Sequence, residues 1–154
     1  MAREPLSRGD LLLLGALLAV AGIADSAYLT YEKYAAAASQ ACDLNPFFNC
    51  TVVQTSPYSS VLGIPTAVLV LGGFVILTAL FVLAFRGVER IGPWSVDFWL
   101  LLFATLGALI GLGLSLIEVF VIHAICLFCA AGFGLDLGIL ALAAVLRRRT
   151  VRDG

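Results

Sequence analysis

The fold is decided by the stretch ICLFCAAGFGLDLGILALAAVL, residues 125–146, in which two cysteines open a long apolar run. At roughly 1.5 Å per helical residue, a run of this length spans the roughly 30 Å hydrocarbon core of a bilayer. Three further apolar runs of similar length precede it, and the first has no convincing signal-peptide cleavage site. We therefore predict four transmembrane helices, at about residues 11–31, 64–85, 98–121 and 125–146.

The composition of the whole chain agrees with this prediction. Of its 154 residues, 62% are hydrophobic and only 12% are charged, and the mean hydropathy is +1.07. A soluble domain of this size cannot bury so much apolar surface, so the composition indicates an integral membrane protein. We expect one all-α domain over residues 1–154, a four-helix bundle with a long external loop at 35–63. No basic stripe with interleaved aromatic residues is present, which argues against binding of nucleic acid.

The distribution of lysine and arginine predicts the orientation in the membrane. Eight of the nine lie before the first helix, between the second and third helices, or after the fourth, and only Lys33 lies on the other side. The positive-inside rule assigns the basic side to the cytoplasm. We therefore expect a multi-pass protein of the cell membrane, with both termini in the cytoplasm and the loop at 35–63 outside it.

The four cysteines form two pairs, which this topology brings to the same, outer face of the membrane. Cys42 and Cys50 fall in the long loop, where we expect them to be exposed to water, and Cys126 and Cys129 fall at the outer end of the fourth helix. Residues three apart share a helical face, and the positive end of the helix dipole favours a thiolate at Cys126. The two pairs suggest a path for electrons from an aqueous thiol into the membrane. A purely structural loop disulfide and a four-thiolate zinc site are the alternatives, and we favour a site without metal.

Other polar and aromatic residues lie near the cysteines. Asp25, Glu118 and Asp136 are intramembrane acids, which suggests proton handling, although hydrogen bonds between helices would explain them as well. His123 either relays protons or is simply tolerated at the interface. Phe133 and Asp136 continue the helical stripe that the last two cysteines begin. Phe133 is therefore either a stacking wall for a flat ligand or ordinary bundle packing.

Small residues recur at helix-packing spacing in the first and third helices. Because close backbone approach drives helix association in lipid, we expect these rows to face one another or their neighbours. The rows are Gly15, Ala19, Gly22 and Ser26 in the first helix, and Gly107, Gly111 and Ser115 in the third.

Taken together, these motifs resemble the vitamin K epoxide reductase family, and more closely its microbial members, which reoxidise disulfide-forming proteins. The resemblance covers roughly residues 22–133. It rests on Cys42-Asp43, the seven residues between the loop cysteines, Ser56 six residues after Cys50, Gly63-Ile64-Pro65 opening a helix, and Cys126-x-x-Cys129 in the last helix.

The resemblance implies a membrane thiol:quinone oxidoreductase that supports disulfide bond formation. In the family pattern, Cys42 and Cys50 meet an external thioredoxin-like protein, and Cys50 then attacks Cys126. Cys129 would lie closest to the quinone, which would be a menaquinone, a ubiquinone or a quinone of the vitamin K type. Ser56 would hydrogen-bond near that sulfur or the quinone, and Phe133 would belong to the same binding site.

Two departures from the family pattern leave alternatives open. Many microbial relatives carry a fused thioredoxin-like domain, whereas this sequence ends in an arginine tail at Gly154, so we expect a separate thiol partner. The animal enzymes have a tyrosine where this chain has Phe133, which makes reduction of vitamin K epoxide an alternative activity. From other classes, the alternatives are a non-enzymatic scaffold stapled by a Cys42–Cys50 disulfide and a small transporter or channel.

Overall fold

Four long helices packed side by side make up the computed structural model, which describes residues 6–35 and 42–153. Each helix is long and apolar enough to cross a membrane. This confirms the predicted all-α membrane bundle. Of the predicted external loop at 35–63, residues 36–41 lie outside the described part. The helices are α1 (Arg8–Ala35), α2 (Cys50–Thr55, a short helix in the loop), α3 (Thr66–Phe85), α4 (Val96–Ile117, continued by a π-helical turn over Glu118–Ile122) and α5 (Leu127–Asp153).

The four long helices form a ring in which α1 packs on α3, α3 on α4, α4 on α5, and α5 back on α1. The centre of the ring is filled by aliphatic and aromatic side chains that are fully buried. They come from all four helices and include Ala19, Phe81, Leu100, Ile139 and Leu146.

Glycines bring the helices together at the positions where the sequence predicts close approach. Gly22 of α1 lies against the ring of Phe74 in α3, and Gly111 of α4 lies against the ring of Phe133 in α5. A Cβ added at Gly111 would lie 2.5 Å from a carbon of the Phe133 ring. The expectation that small residues face neighbouring helices is therefore confirmed at these positions.

Two short hairpins precede the second and third long helices. The first pairs β1 (Ser60–Val61) with β2 (Ile64–Pro65), and the second pairs β3 (Arg90–Ile91) with β4 (Trp94–Ser95). The turn of the first hairpin places Leu62 and Gly63 at φ 51° and 83°, as a two-residue hairpin turn of the primed type requires. Because residues 64 and 65 are paired in β2, α3 starts two residues later than the predicted span at 64–85.

At the end of the bundle that holds the second hairpin, α5 continues well past residue 146, where the predicted span ends. Its last turns stay helical because they are tied to the starts of α1 and α4. Asp97 is 2% exposed and accepts two hydrogen bonds from the Arg8 guanidinium, at 2.9 and 3.0 Å. The Thr150 hydroxyl donates a third at 2.5 Å.

The two ends of the bundle differ in charge. The arginines that are described lie at one end, at the start of α1, around the second hairpin and in the last turns of α5. The four cysteines lie at the other end, together with Lys33, which donates to the carbonyl of Gln54 and the hydroxyl of Ser59. The loop and α2 are thereby tied to the last turn of α1.

Candidate redox site

The loop between α1 and α3 folds over the start of α5. Phe48 pairs with Ile125 in an isolated parallel bridge. The Asn49 N–H donates to the Ile125 carbonyl at 3.1 Å, and the Ile125 N–H donates to the Phe47 carbonyl at 2.7 Å. Because Asn49 and Ile125 each precede a cysteine, this backbone pairing brings Cys50 next to Cys126.

Two asparagines shape the loop from within. The Asn45 side-chain oxygen accepts hydrogen bonds from the backbone N–H groups of Phe47 and Phe48, both at 2.9 Å. The Asn49 side-chain oxygen accepts from the Val52 N–H at 2.9 Å and caps α2. Both are local turn motifs in which an amide side chain replaces missing backbone partners. Together they direct the chain so that α2 begins at Cys50.

Asp43 ties the start of the loop to α2. Its carboxylate accepts from the Thr51 hydroxyl at 2.6 Å and from the Thr51 backbone N–H at 3.1 Å. These bonds favour the charged form and hold the pKa of Asp43 below its usual range. The carboxylate is therefore a structural part of the loop at neutral pH.

Cys42 and Cys50 form a disulfide whose Cα atoms lie 5.5 Å apart. The two residues are 1% and 2% exposed, and they pack in a cluster with Leu29, Val53 and Ala124. The expectation that this pair is exposed to water is therefore wrong for this state. A disulfide is apolar, and here it fills the space beneath the loop, between α1, α2 and the connection from α4 to α5.

The sulfurs of Cys42, Cys50 and Cys126 all lie within 4.8 Å of one another. Cys126 is a free thiol with no exposed surface, and Cys129 is a free thiol that is half-buried. The Cys129 N–H donates to the Cys126 sulfur at 3.3 Å, so the sulfur caps the first turn of α5. Although three sulfurs this close could surround a metal ion, two of them are joined in a disulfide and offer no thiolate. Thiol–disulfide exchange requires a free thiol next to a disulfide, and these three sulfurs provide that geometry.

Glu118 holds the start of α5 from the end of α4. It lies in the π-helical turn and is 6% exposed. One carboxyl oxygen accepts from the Cys126 N–H at 3.1 Å, and the carboxyl group also lies near the Cys129 side chain. The sequence marked Glu118 only as an intramembrane acid. Its link to the cysteines depends on the chain reversal at His123, where φ is 57°.

Phe133 and Ser56, which the family resemblance assigns to the quinone site, differ in their relation to Cys129. Phe133 is half-buried and lies one turn beyond Cys129 on the same face of α5. The Ser56 hydroxyl donates to the Val53 carbonyl at 2.7 Å, at the end of α2, and none of its hydrogen bonds in the described residues reaches Cys129.

The other candidate acids and the histidine are spread around the site. Asp136 is buried, and one of its carboxyl oxygens has no hydrogen-bond partner among the described residues. Asp25 of α1 lies against Gly132 of α5, where an added Cβ would be 2.9 Å from its oxygen. His123 is exposed on the α4–α5 connection. Of these three, Asp25 and Asp136 face the interior of the bundle.

Comparison with known protein families identifies the family in which this cysteine arrangement occurs. The model of the vitamin K epoxide reductase family matches residues 13–144, a range that includes all four cysteines. The chain belongs to the vitamin K epoxide reductase family. Members of this family are membrane oxidoreductases of disulfides and quinones, so the chain is an enzyme and not a disulfide-stapled scaffold. A comparison with curated proteins gave no match.

The family uses quinones as electron carriers, and the residues around Cys129 are compatible with one. The thiol is only half-buried, at the side of the bundle that the aromatic ring of Phe133 continues. Next to Cys129 in sequence, Phe128 makes a tilted ring contact with Tyr28 of α1, with the ring centroids 5.0 Å apart. Apolar and aromatic walls beside a reactive sulfur are what a flat, lipid-soluble ring requires.

Proposed function

We propose that this member of the vitamin K epoxide reductase family is a thiol:quinone oxidoreductase that supports disulfide bond formation. It oxidises a thioredoxin-like partner through Cys42 and Cys50 and passes the electrons through Cys126 and Cys129 to a quinone. The observation that supports this most strongly is the approach of the Cys42, Cys50 and Cys126 sulfurs to within 4.8 Å.

The relay between the two cysteine pairs consists of two exchange reactions. The first reaction begins when the partner has reduced the loop disulfide and Cys126 and Cys129 are joined in a disulfide. The Cys50 thiolate then attacks Cys126 and displaces the Cys129 thiolate. Cys42 then attacks Cys50, which restores the loop disulfide and releases Cys126. The hydrogen bond from the Cys129 N–H to the Cys126 sulfur, at 3.3 Å, stabilises negative charge on that sulfur as it leaves.

The electrons leave the helical pair toward the membrane. Formation of the Cys126–Cys129 disulfide releases two electrons and two protons, and a quinone takes up both to become a quinol. We assign Cys129 as the sulfur nearest the quinone because it is the less buried of the two. Phe133 provides a wall of the same site, and Ser56 turns its hydroxyl toward the quinone once its bond to α2 is exchanged.

The partner reaches the disulfide by displacing the loop. Both loop cysteines are buried, so a protein thiol requires the loop to open before it attacks. Above them, Leu44 is 66% exposed and Phe47 is 46% exposed. Apolar side chains exposed on the loop suit a thioredoxin-like partner that binds through an apolar surface.

The orientation in the membrane follows from the charge difference between the two ends of the bundle. The arginine-rich end faces the cytoplasm, and the cysteine end faces the extracytoplasmic side, where disulfides persist. A membrane-impermeant maleimide should therefore label the reduced loop cysteines from outside the cell.

A turnover assay with single cysteine variants tests the function. The donor is a reduced thioredoxin-like protein, and the acceptors are short-chain menaquinone and ubiquinone, with vitamin K epoxide assayed in parallel. Replacing Cys42, Cys50, Cys126 or Cys129 with alanine should lower turnover by about a hundredfold or more, because each carries one bond of the relay. Ser60→Ala, an exposed change at the same face, is the matched control. Unimpaired turnover in the Cys126 or Cys129 variant would overturn the proposal.

A further inference from the structure

The reactions of the helical cysteine pair, Cys126 and Cys129, require a group that takes up and gives back a proton. The four cysteines do not provide such a group. A thiol attacks as a thiolate, so Cys129 must lose its proton when the Cys126–Cys129 disulfide forms and regain it when Cys50 opens that disulfide. Cys126 has no exposed surface and Cys129 is half-buried, so bulk water is a poor proton acceptor at this point.

We propose that Glu118 is the general acid–base of the helical cysteine pair, a role that rests on the proposed function. When the disulfide forms, the carboxylate takes the proton of the Cys129 thiol, which gives a thiolate and a carboxylic acid. The carboxylic acid then passes this proton to the reduced quinone, which also takes up the proton of Cys126, and Glu118 is a carboxylate again. When Cys50 attacks Cys126, the carboxylate takes the proton of the Cys50 thiol and gives it to the leaving Cys129 thiolate. Over a full turnover, the two electrons and two protons of the partner's dithiol end on the quinol, and Glu118 is unchanged.

The contacts of Glu118 support this role directly. Its carboxyl group accepts a hydrogen bond from the Cys126 N–H, at 3.1 Å, and lies near the Cys129 side chain. The hydrogen bond fixes the carboxyl group against the start of α5, and Cys129 lies one turn farther along the same helical face. A general base must come within hydrogen-bond distance of the proton that it removes, directly or through one water, and a carboxyl group held at this point is placed to do so.

The backbone around Glu118 is built to hold it there. The regular part of α4 ends at Ile117, and the next five residues form a π-helical turn, a rare conformation that occurs often at functional sites. The Glu118 carbonyl accepts from the Ala124 N–H at 3.1 Å, which closes the turn toward α5. The same residue therefore anchors the connection with its backbone and the cysteine pair with its side chain.

No ion pair accounts for this buried acid. Within residues 6–35 and 42–153, its carboxyl group has no salt-bridge partner. The titratable groups that face it are Cys126 and Cys129 on α5. From α1, Asp25 acts on the same Cys129 as a second negative charge, and from α2 the neighbouring Cys50 is held in a disulfide. A glutamine could accept the Cys126 N–H equally well, so only proton transfer requires an acid at this position.

The experiment compares Glu118→Gln and Glu118→Asp with Glu89→Gln, a matched change at an exposed position on the opposite side of the bundle. The full chain in lipid nanodiscs is reduced, mixed with a short-chain quinone, and followed through one turnover across a range of pH. Glu118→Gln keeps an acceptor for the Cys126 N–H but cannot take a proton. We expect it to be about tenfold to a hundredfold slower at neutral pH, within the usual range for general base catalysis.

The pH dependence separates proton transfer from a structural role. In Glu118→Gln the rate should rise in proportion to hydroxide and approach that of the parent at high pH. In Glu118→Asp the rate should reach the same plateau at neutral pH as in the parent. If the glutamine variant does not fold, the pH profile of the aspartate variant is the test. Equal rates for Glu118→Gln and Glu89→Gln at every pH would overturn the inference, as would the same loss at every pH in both Glu118 variants. A parent chain that reduces no quinone would instead overturn the proposed function.

Discussion

Removal of the Asn45 side chain should loosen the loop that covers the Cys42–Cys50 disulfide. The side-chain oxygen accepts the N–H groups of Phe47 and Phe48, both at 2.9 Å, and these residues pair with the start of α5. In Asn45→Ala both bonds are lost. Because the disulfide is buried in the closed loop, a looser loop should expose it more often to an external thiol.

The magnitude follows from the two hydrogen bonds. Phe47 is exposed and Phe48 is half-buried, so water can replace the lost acceptor for each N–H. A net contribution of about 0.5–1 kcal/mol for each bond, the lower part of the usual range, gives a loss of about 1–2 kcal/mol in the free energy of loop opening. A loss of that size raises the open fraction roughly 5- to 30-fold.

The assay measures how fast dithiothreitol reduces the loop disulfide, with alkylation of the freed thiols and mass spectrometry as the readout. When the loop closes faster than the reductant reacts, the reduction rate follows the open fraction, so it should rise by the same 5- to 30-fold factor. Asn45→Asp retains the acceptor oxygen and should remain close to the parent. The reasoning is refuted if Asn45→Ala is reduced at the parent rate, or if the aspartate variant is reduced as fast as the alanine variant.

Three further predictions concern stability, quinone binding and pH. Asp97→Asn should lower the free energy of unfolding by about 2–3 kcal/mol, less than for a fully buried ion pair because the arginine side chain is 45% exposed. An unchanged thermal midpoint in detergent would contradict this. Gly111→Val should displace the Phe133 ring and raise the KM for quinone severalfold. Gly113→Val is the control and should leave the KM unchanged, because an added Cβ there meets nothing within 4 Å. Equal KM values in the two variants would be inconsistent with a quinone site that is lined by Phe133. Since hydrogen bonds lower the pKa of Asp43, its contribution to loop stability should be complete above its ordinary pKa of about 3.9 and be lost as the pH falls through the lowered value. Hydrogen exchange of the loop amides, corrected for intrinsic rates, should show that loss in the parent and not in Asp43→Ala.

Much of the architecture could be read from the sequence because it depends on simple counts. Apolar runs of membrane-spanning length predict the number of helices, and an even number of crossings between them predicts which segments share a face. By that rule alone the loop at 35–63 and the start of the last helix lie at the same end of the bundle, and with them Cys50 and Cys126.

The details of the site depend on contacts between distant segments, which no local pattern reveals. The pairing of Phe48 with Ile125 closes the loop over the disulfide and buries it. Leucine rarely adopts a positive φ, so nothing in the sequence signals the turn at Leu62. Glu118 reaches the cysteines only because the chain reverses at His123, and a lone acid in an apolar run does not predict that reversal.

The most direct test of the central claim is a cross-link between the two cysteine pairs. In the double variant Cys42→Ala/Cys129→Ala, only Cys50 and Cys126 remain, and their sulfurs belong to the cluster that lies within 4.8 Å. Mild oxidation with copper phenanthroline should join them within one chain, as non-reducing mass spectrometry would detect. The variant Cys42→Ala/Cys126→Ala, which pairs Cys50 with Cys129, should cross-link less. Free thiols or links only between chains in the first variant would contradict the relay.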